Sequence, residues 1–289
     1  MEFFINKKAQ SLTLLILAIL FFISCTERIE IELDTTYSRL VIEGQVTTDT
    51  TRHLVMLSHS TDYYNPLSPV GVSDAIVTIN DGFETVTLAE SETNPGYYET
   101  DPGYFGIVGR TYTLNVELQE AINETTSYTA TSKLKFVGPI DSIGLGYRDR
   151  FNATEVKIYA WEPPTEDFYK FDIIKNGILL TDTINKAGIT DDRFFNGNYT
   201  NGVPVYFLRD DEPDQEVQVG DTITLKMSGI TKEYYNFIQD LQLETFEFSN
   251  PLFSGPPANI STNLSGGAVG FFTAFSSSYA SVVATEIEE

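Results

Sequence analysis

Apolar and polar residues alternate with period two along most of this chain, and that pattern dictates a fold built from half-buried β-strands. Arg28-Ile29-Glu30-Ile31-Glu32-Leu33 is one such run. In Thr111 to Leu118, Tyr112, Leu114, Val116 and Leu118 share one face while Thr111, Thr113, Asn115 and Glu117 share the other. Further strands are expected at 40–46, 53–58, 75–79, 83–88 and 128–134. Asn80-Asp81-Gly82 supplies the positive-φ residues of a tight hairpin, and Asn94-Pro95-Gly96 marks another turn. A series of short strands without helical period reads as a β-sandwich.

Gly138-Pro139 interrupts the series and is taken as a domain boundary. Beyond it, strands are expected at 142–147, 155–161, 169–174, 178–182, 203–208 and 222–227, with Asn176-Gly177 as a second hairpin turn. One segment changes period. From Thr231 to Phe246, Tyr234, Phe237, Ile238 and Leu241 recur at helical spacing behind Thr231, a candidate N-cap. A last apolar strand is expected over 268–275, with 276–289, small and polar, read as a frayed end. The organisation is then 1–24 signal peptide, 25–37 lipidated cysteine and tether, 38–137 N-terminal β-sandwich, and 138–289 β-rich C-terminal domain with its helix near 231–246.

The N-terminus carries the location signal. Lys7 and Lys8 precede an apolar run from Leu12 to Ile23, broken by Thr13. A bilayer-spanning helix needs about 20 apolar residues, so this run reads as an export signal. The chain has 1 Cys, and it falls directly behind that run, in Phe22-Ile23-Ser24-Cys25. This stretch resembles a bacterial lipobox, which implies cleavage before Cys25 and a lipid on its sulfur. Each buried acyl methylene contributes about 0.8 kcal/mol, so several chains on one residue anchor a protein durably.

Charge and scarce residue types exclude several functions. With 18 Lys+Arg against 41 Asp+Glu, the net charge is -23. Phosphate contacts need Lys or Arg, so no nucleic acid is expected as partner. Loss of Glu2, Lys7 and Lys8 with the signal leaves the remainder one unit more negative still. Such a body suits a tether that holds it off an anionic surface. A single cysteine excludes an intramolecular disulfide framework. His53 and His59 would lie roughly 20 Å apart on one strand face and read as ordinary surface or half-buried histidines. No Gly-x-Ser-x-Gly elbow precedes a helix. No catalytic residue, cofactor or metal is assigned.

Asp191-Asp192 and Asp210-Asp211-Glu212-Pro213-Asp214 offer hard oxygen ligands, but neither has the spacing of a known calcium loop, and both read as solvated acidic turns. Tyr63 and Tyr64 in one long loop, and Phe194, Phe195 and Tyr199 in another, suit ligand or partner contact. They equally suit loops pinned to the sandwich by their own rings. Asp-Ser/Thr pairs such as Asp182-Thr183 and Asp221-Thr222 fit turns and strand starts, and equally resemble an O-glycosylation acceptor pattern.

An ordered series of motifs resembles the lipoproteins of Bacteroidota grouped as domain-of-unknown-function family 4249. Leu40-Val41-Ile42-Glu43-Gly44 follows the lipobox, and Gly96-Tyr97-Tyr98 precedes Val108-Gly109-Arg110-Thr111-Tyr112-Thr113-Leu114. Ile140-Asp141-Ser142-Ile143 opens the second half. Asp191-Asp192 precedes Phe194-Phe195-Asn196-Gly197, and Gly220-Asp221 and Tyr234-Tyr235 follow. Pro256-Pro257-Ala258-Asn259-Ile260 and Asn263-Leu264-Ser265-Gly266-Gly267-Ala268-Val269-Gly270-Phe271-Phe272 close it. The resemblance implies an outer-membrane lipoprotein, anchored in lipid through Cys25, with an immunoglobulin-like or transthyretin-like first domain and no established catalytic residues. It also implies work beside a TonB-dependent transporter. The expected function is a non-catalytic binding or accessory subunit. The alternatives are a structural or adhesion lipoprotein and, behind that, a carboxylate-based hydrolase. Neither the periplasmic nor the cell-surface face is singled out.

Overall fold

In the computed structural model, the described residues are 38–61, 68–248 and 260–285. The first strands are β1 (Leu40–Thr47), β2 (Leu54–His59), β3 (Ile76–Asn80), β4 (Thr85–Thr87), β5 (Ala89–Glu90), β6 (Tyr97–Glu99), β7 (Thr111–Ile122) and β8 (Thr125–Lys133). Then come β9 (Ser142–Arg148), β10 (Ala153–Tyr159), β11 (Phe168–Lys175), β12 (Ile178–Leu179), β13 (Gly188–Asp191), β14 (Val203–Arg209) and β15 (Thr222–Ile230). Helix α1 (Lys232–Phe248) and strand β16 (Val269–Val283) complete the order. The chain is mainly β, with several sheets and, among the described residues, a single α-helix.

The turns explain the hairpins. Gly82, with φ of 90°, turns β3 into β4, and Asn176 and Gly177, with φ of 51° and 84°, turn β11 into β12. The two-residue Asn176-Gly177 loop has positive φ at both positions, as a type I′ turn requires, whereas the β3–β4 loop spans four residues, 81–84, and of Asn80-Asp81-Gly82 only Gly82 has positive φ. The expected run 28–33 lies outside the described residues.

Three sheets form. A nine-stranded sheet runs β12-β11-β15-β16-β1-β2-β6-β5, with β13 also on β11. A four-stranded sheet runs β4-β3-β7-β8, and a three-stranded one β14-β10-β9. Ile42, Val55, Leu57, Tyr98 and Phe272 of the large sheet pack with Val77, Ile79, Tyr112, Leu114 and Val116 of the four-stranded sheet, giving a first sandwich core. Tyr169, Phe171, Ile173, Ile223 and Leu225 pack with Ile143, Val156, Ile158 and Leu208 of the three-stranded sheet, giving a second. The boundary read at Gly138-Pro139 falls between these two cores, yet one sheet runs through both.

Strand β16 makes that continuity. Its first half pairs parallel with β1, from Val41↔Val269 to Thr47↔Phe275. Its second half pairs antiparallel with β15, from Gly229↔Ser276 to Thr222↔Val283. The frayed end expected from 276 onward is therefore corrected: residues 276–283 are ladder, and Ala284 is 2% exposed. Small hydroxyls mislead because they look like loop, while here they bond across strands, as Thr224 and Ser281 do at 2.7 Å. Gly270 lets β16 start. Its φ is 100°, and a Cβ there would stand 2.2 Å from the Ile42 carbonyl oxygen.

Helix α1 covers the opposite face. Period-two alternation sends Phe168, Ile230, Phe271 and Phe275 to the side away from the sandwich cores, and Phe237 and Ile238 of α1 close over them. The Tyr234 and Phe237 rings lie 5.1 and 5.0 Å from that of Phe271. Thr231 caps the helix as expected, its Oγ1 accepting from the Tyr234 amide at 3.3 Å.

Candidate functional site

Two loops zip together at the edge of the second sandwich. One follows β10 and runs through Trp161 to Asp167; the other leaves β13 at Asp191 and runs to Thr200. Backbone bonds join them at each step: Thr200 N to Ala160 O (3.0 Å), Glu162 N to Asn198 O (3.0 Å), Gly197 N to Pro163 O (3.3 Å) and Asp192 N to Asp167 O (3.2 Å). The Asn196 side chain adds a bond to the Thr165 carbonyl at 2.9 Å. Inside the second loop, Phe195 and Asn196 amides both donate to the Asp192 carbonyl, at 2.7 and 2.8 Å. Gly197, with φ of 72°, permits this tight return.

Glu162, Asp167 and Asp192 meet between the loops, with one carboxylate oxygen of each lying within 4.8 Å of the others. The register β11 takes with β13, Phe168↔Asp191, is what brings Asp167 beside Asp192. Alternation at the end of β13 then splits a neighbouring pair. Asp191 turns outward into a two-point contact with Arg193, through Nε at 2.7 Å and Nη2, which holds its carboxyl below the usual range. Asp192 turns inward and is 3% exposed. The reading of Asp191-Asp192 as a solvated turn is thus corrected at Asp192. The second acidic turn is as expected, with Asp211, Glu212 and Asp214 exposed.

The electrostatics follow from crowding. Burial raises Glu162, and the charges of Asp167 and Asp192 raise it further, to about 7, although the Tyr169 hydroxyl donates to its Oε1. Burial likewise raises Asp192. The Thr165 hydroxyl donates to Asp167 Oδ2. Lys135 reaches Asp167 Oδ1 at 4.0 Å.

The rim of the same loop pair is aromatic. Phe194 is 82% exposed and Trp161 is 68% exposed. The Tyr199 ring sits 5.3 Å from that of Trp161, tilted by 58°, and the two residues form a β-bridge. Phe195 is half-buried. The family model described as Domain of unknown function (DUF4249) matches residues 26–280. The chain belongs to this family. No curated protein matches it.

DUF4249 membership brings no assigned chemistry, so the site must be read from its own residues. Of the residues singled out from the sequence, Phe194, Phe195 and Tyr199 share one loop. Tyr63, Tyr64 and Cys25 lie outside the described residues. Trp161, Glu162, Asp167 and Tyr169 were not singled out. The acidic, proline-containing stretch Glu162-Pro163-Pro164-Thr165-Glu166-Asp167 is the signal the sequence offers for them, comparable to the two acidic turns.

The histidines have separate roles. His59 Nδ1 is 2.9 Å from Ser38 Oγ. His53 is not a surface or half-buried residue but 2% exposed, with Nδ1 accepting from the Thr47 amide at 3.3 Å. A shallow recess lined by Tyr147, Thr154, Asp210, Val217 and Val219 lies elsewhere, and none of the three carboxylates lines it. Among the described residues, no helix is long and apolar enough to cross a membrane.

Proposed function

We propose that this DUF4249 chain is a non-catalytic binding or accessory subunit of the cell envelope. It is anchored in the outer membrane by lipid on Cys25 and works with a TonB-dependent transporter through the loop pair around Trp161 and Phe194. The observation that carries the contact surface is the exposure of two large aromatic rings on loops held by a continuous backbone zipper. Trp, Tyr and Phe presented on a fixed scaffold lose little conformational entropy on binding and fill partner pockets well. Loops pinned down by their own rings would instead bury Phe194 and Trp161. Support for the anchor is the position of the sole cysteine directly behind an apolar run too short to span a bilayer. A structural or adhesion lipoprotein without a transporter is the alternative.

Affinity purification from detergent-solubilised membranes separates these readings. Recovery with a β-barrel transporter, lost in the Trp161→Ala/Phe194→Ala double variant, is the expected result. Recovery without any β-barrel counts against the transporter. Incorporation of labelled palmitate should vanish in Cys25→Ala; persistent labelling would contradict the anchor. A carboxylate-based hydrolase draws its motivation from the grouping of Glu162, Asp167 and Asp192 alone. A broad glycosidase and peptidase screen in which Glu162→Gln abolishes a measured activity would replace the non-catalytic reading.

A further inference from the structure

Acidic residues are plentiful on this chain, so a group of carboxylates is by itself unremarkable. What sets this group apart is Asp192. Asp192 is 3% exposed, and its Oδ2 is buried without a hydrogen bond from any described residue. Leaving a buried polar atom unsatisfied costs about 1–3 kcal/mol, and more when the group is charged. Protein cations do not answer it. Arg193 is engaged by Asp191, Lys232 by Glu166, and Lys135 by Asp167, at 4.0 Å.

We propose that Glu162, Asp167 and Asp192 bind one hard divalent cation of calcium's size between the two loops. The donors are all oxygens, which suits calcium, magnesium or manganese and disfavours thiophilic metals. Calcium takes oxygen ligands at roughly 2.3–2.6 Å in irregular shells of about 6–8, so ligands on opposite sides stand about 4.6–5.2 Å apart. Carboxylate oxygens within 4.8 Å of one another fit inside that shell. Magnesium holds ligands at roughly 2.0–2.1 Å in a near-ideal octahedron and keeps several waters, a poor match to the inward, buried Asp192. The cation also offsets the mutual repulsion of three carboxylates held within 4.8 Å of one another.

The ion would join residues of the 161–167 loop to Asp192 at the end of β13, and so fix the base of the loops carrying Trp161 and Phe194. The site stands without the transporter, because binding is read on the free chain.

The full chain in detergent is titrated with Ca²⁺ by calorimetry and thermal melting, and with Tb³⁺, a calcium-sized ion whose emission nearby Tyr or Trp excites. Expected are one cation per chain, a melting temperature that rises with Ca²⁺, and Tb³⁺ emission displaced by Ca²⁺. Asp192→Asn should lower affinity by at least ~10-fold, since even partners of metal ligands are worth about 10–100-fold. The less buried Asp167→Asn should do the same and covers the case in which Asp192→Asn fails to fold. Asp211→Asn/Asp214→Asn should bind as wild type. Wild type without heat and without a melting shift at millimolar Ca²⁺ would overturn the site. So would equal affinity in wild type and folded Asp167→Asn.

Discussion

At the scale of single residues, the exposed and buried aromatics divide sharply. Phe194 touches solvent, so Phe194→Ala should leave stability within about 0.5 kcal/mol of wild type by chemical denaturation. Phe271 is 5% exposed beneath α1, and Phe271→Ala should cost about 3–5 kcal/mol in the same measurement. His53 gives a signed pH effect. Burial holds its imidazole below the ordinary value near 6.5. The unfolded chain therefore takes up a proton first as pH falls, and the folded state loses stability as pH drops below about 6.5. Denaturation midpoints between about pH 7 and 5.5 should fall more steeply for wild type than for His53→Gln. Equal slopes would mean that the buried ring takes up its proton without cost. The carboxylate trio, by contrast, was not legible residue by residue. Asp191 and Asp192 look equivalent in the sequence, and only the strand end decides that one meets Arg193 and the other turns inward.

At the scale of elements, strong local patterns were readable and weak ones were not. β7 shows five or more alternations, and α1 shows a clean change of period behind a cap. Thr231→Ala should therefore cost about 0.5–2 kcal/mol, measured by thermal or urea unfolding. Strands β5, β6 and β13 are too short to display a period, and they exist because neighbours pair with them. The second half of β16 is the instructive case. Ser276-Ser277-Ser278 has loop composition, yet it sits beside β15 with Ser228 and Ser277 hydroxyls 3.2 Å apart. Ala280 pairs with Leu225 inside that ladder. Proline removes a ladder donor and is excluded from such a strand. Ala280→Pro should abolish cooperative unfolding, whereas a truly frayed end would tolerate it unchanged.

At the scale of the molecule, the last strand closes the fold by joining β1 to β15, residues far apart in sequence. Long-range pairing of this kind has no local signature, which is why the sequence suggested two successive halves while the large sheet runs through both. The loop pair has the same character. Asp167 reaches Asp192 through the register of β11 with β13, Glu162 comes to them through the backbone zipper with residues 197–200, and the aromatic rim arises where those loops turn outward. The same architecture gives the chain an exposed aromatic face on an acidic body, which is the surface that the proposed accessory role would use. A photo-crosslinking residue placed at Phe194, in cells whose chain carries labelled palmitate, tests this directly. The account predicts an adduct with an outer-membrane β-barrel that disappears when Trp161 is also replaced by Ala. Palmitate-labelled chain in the membrane that yields no β-barrel adduct from position 194 would contradict it.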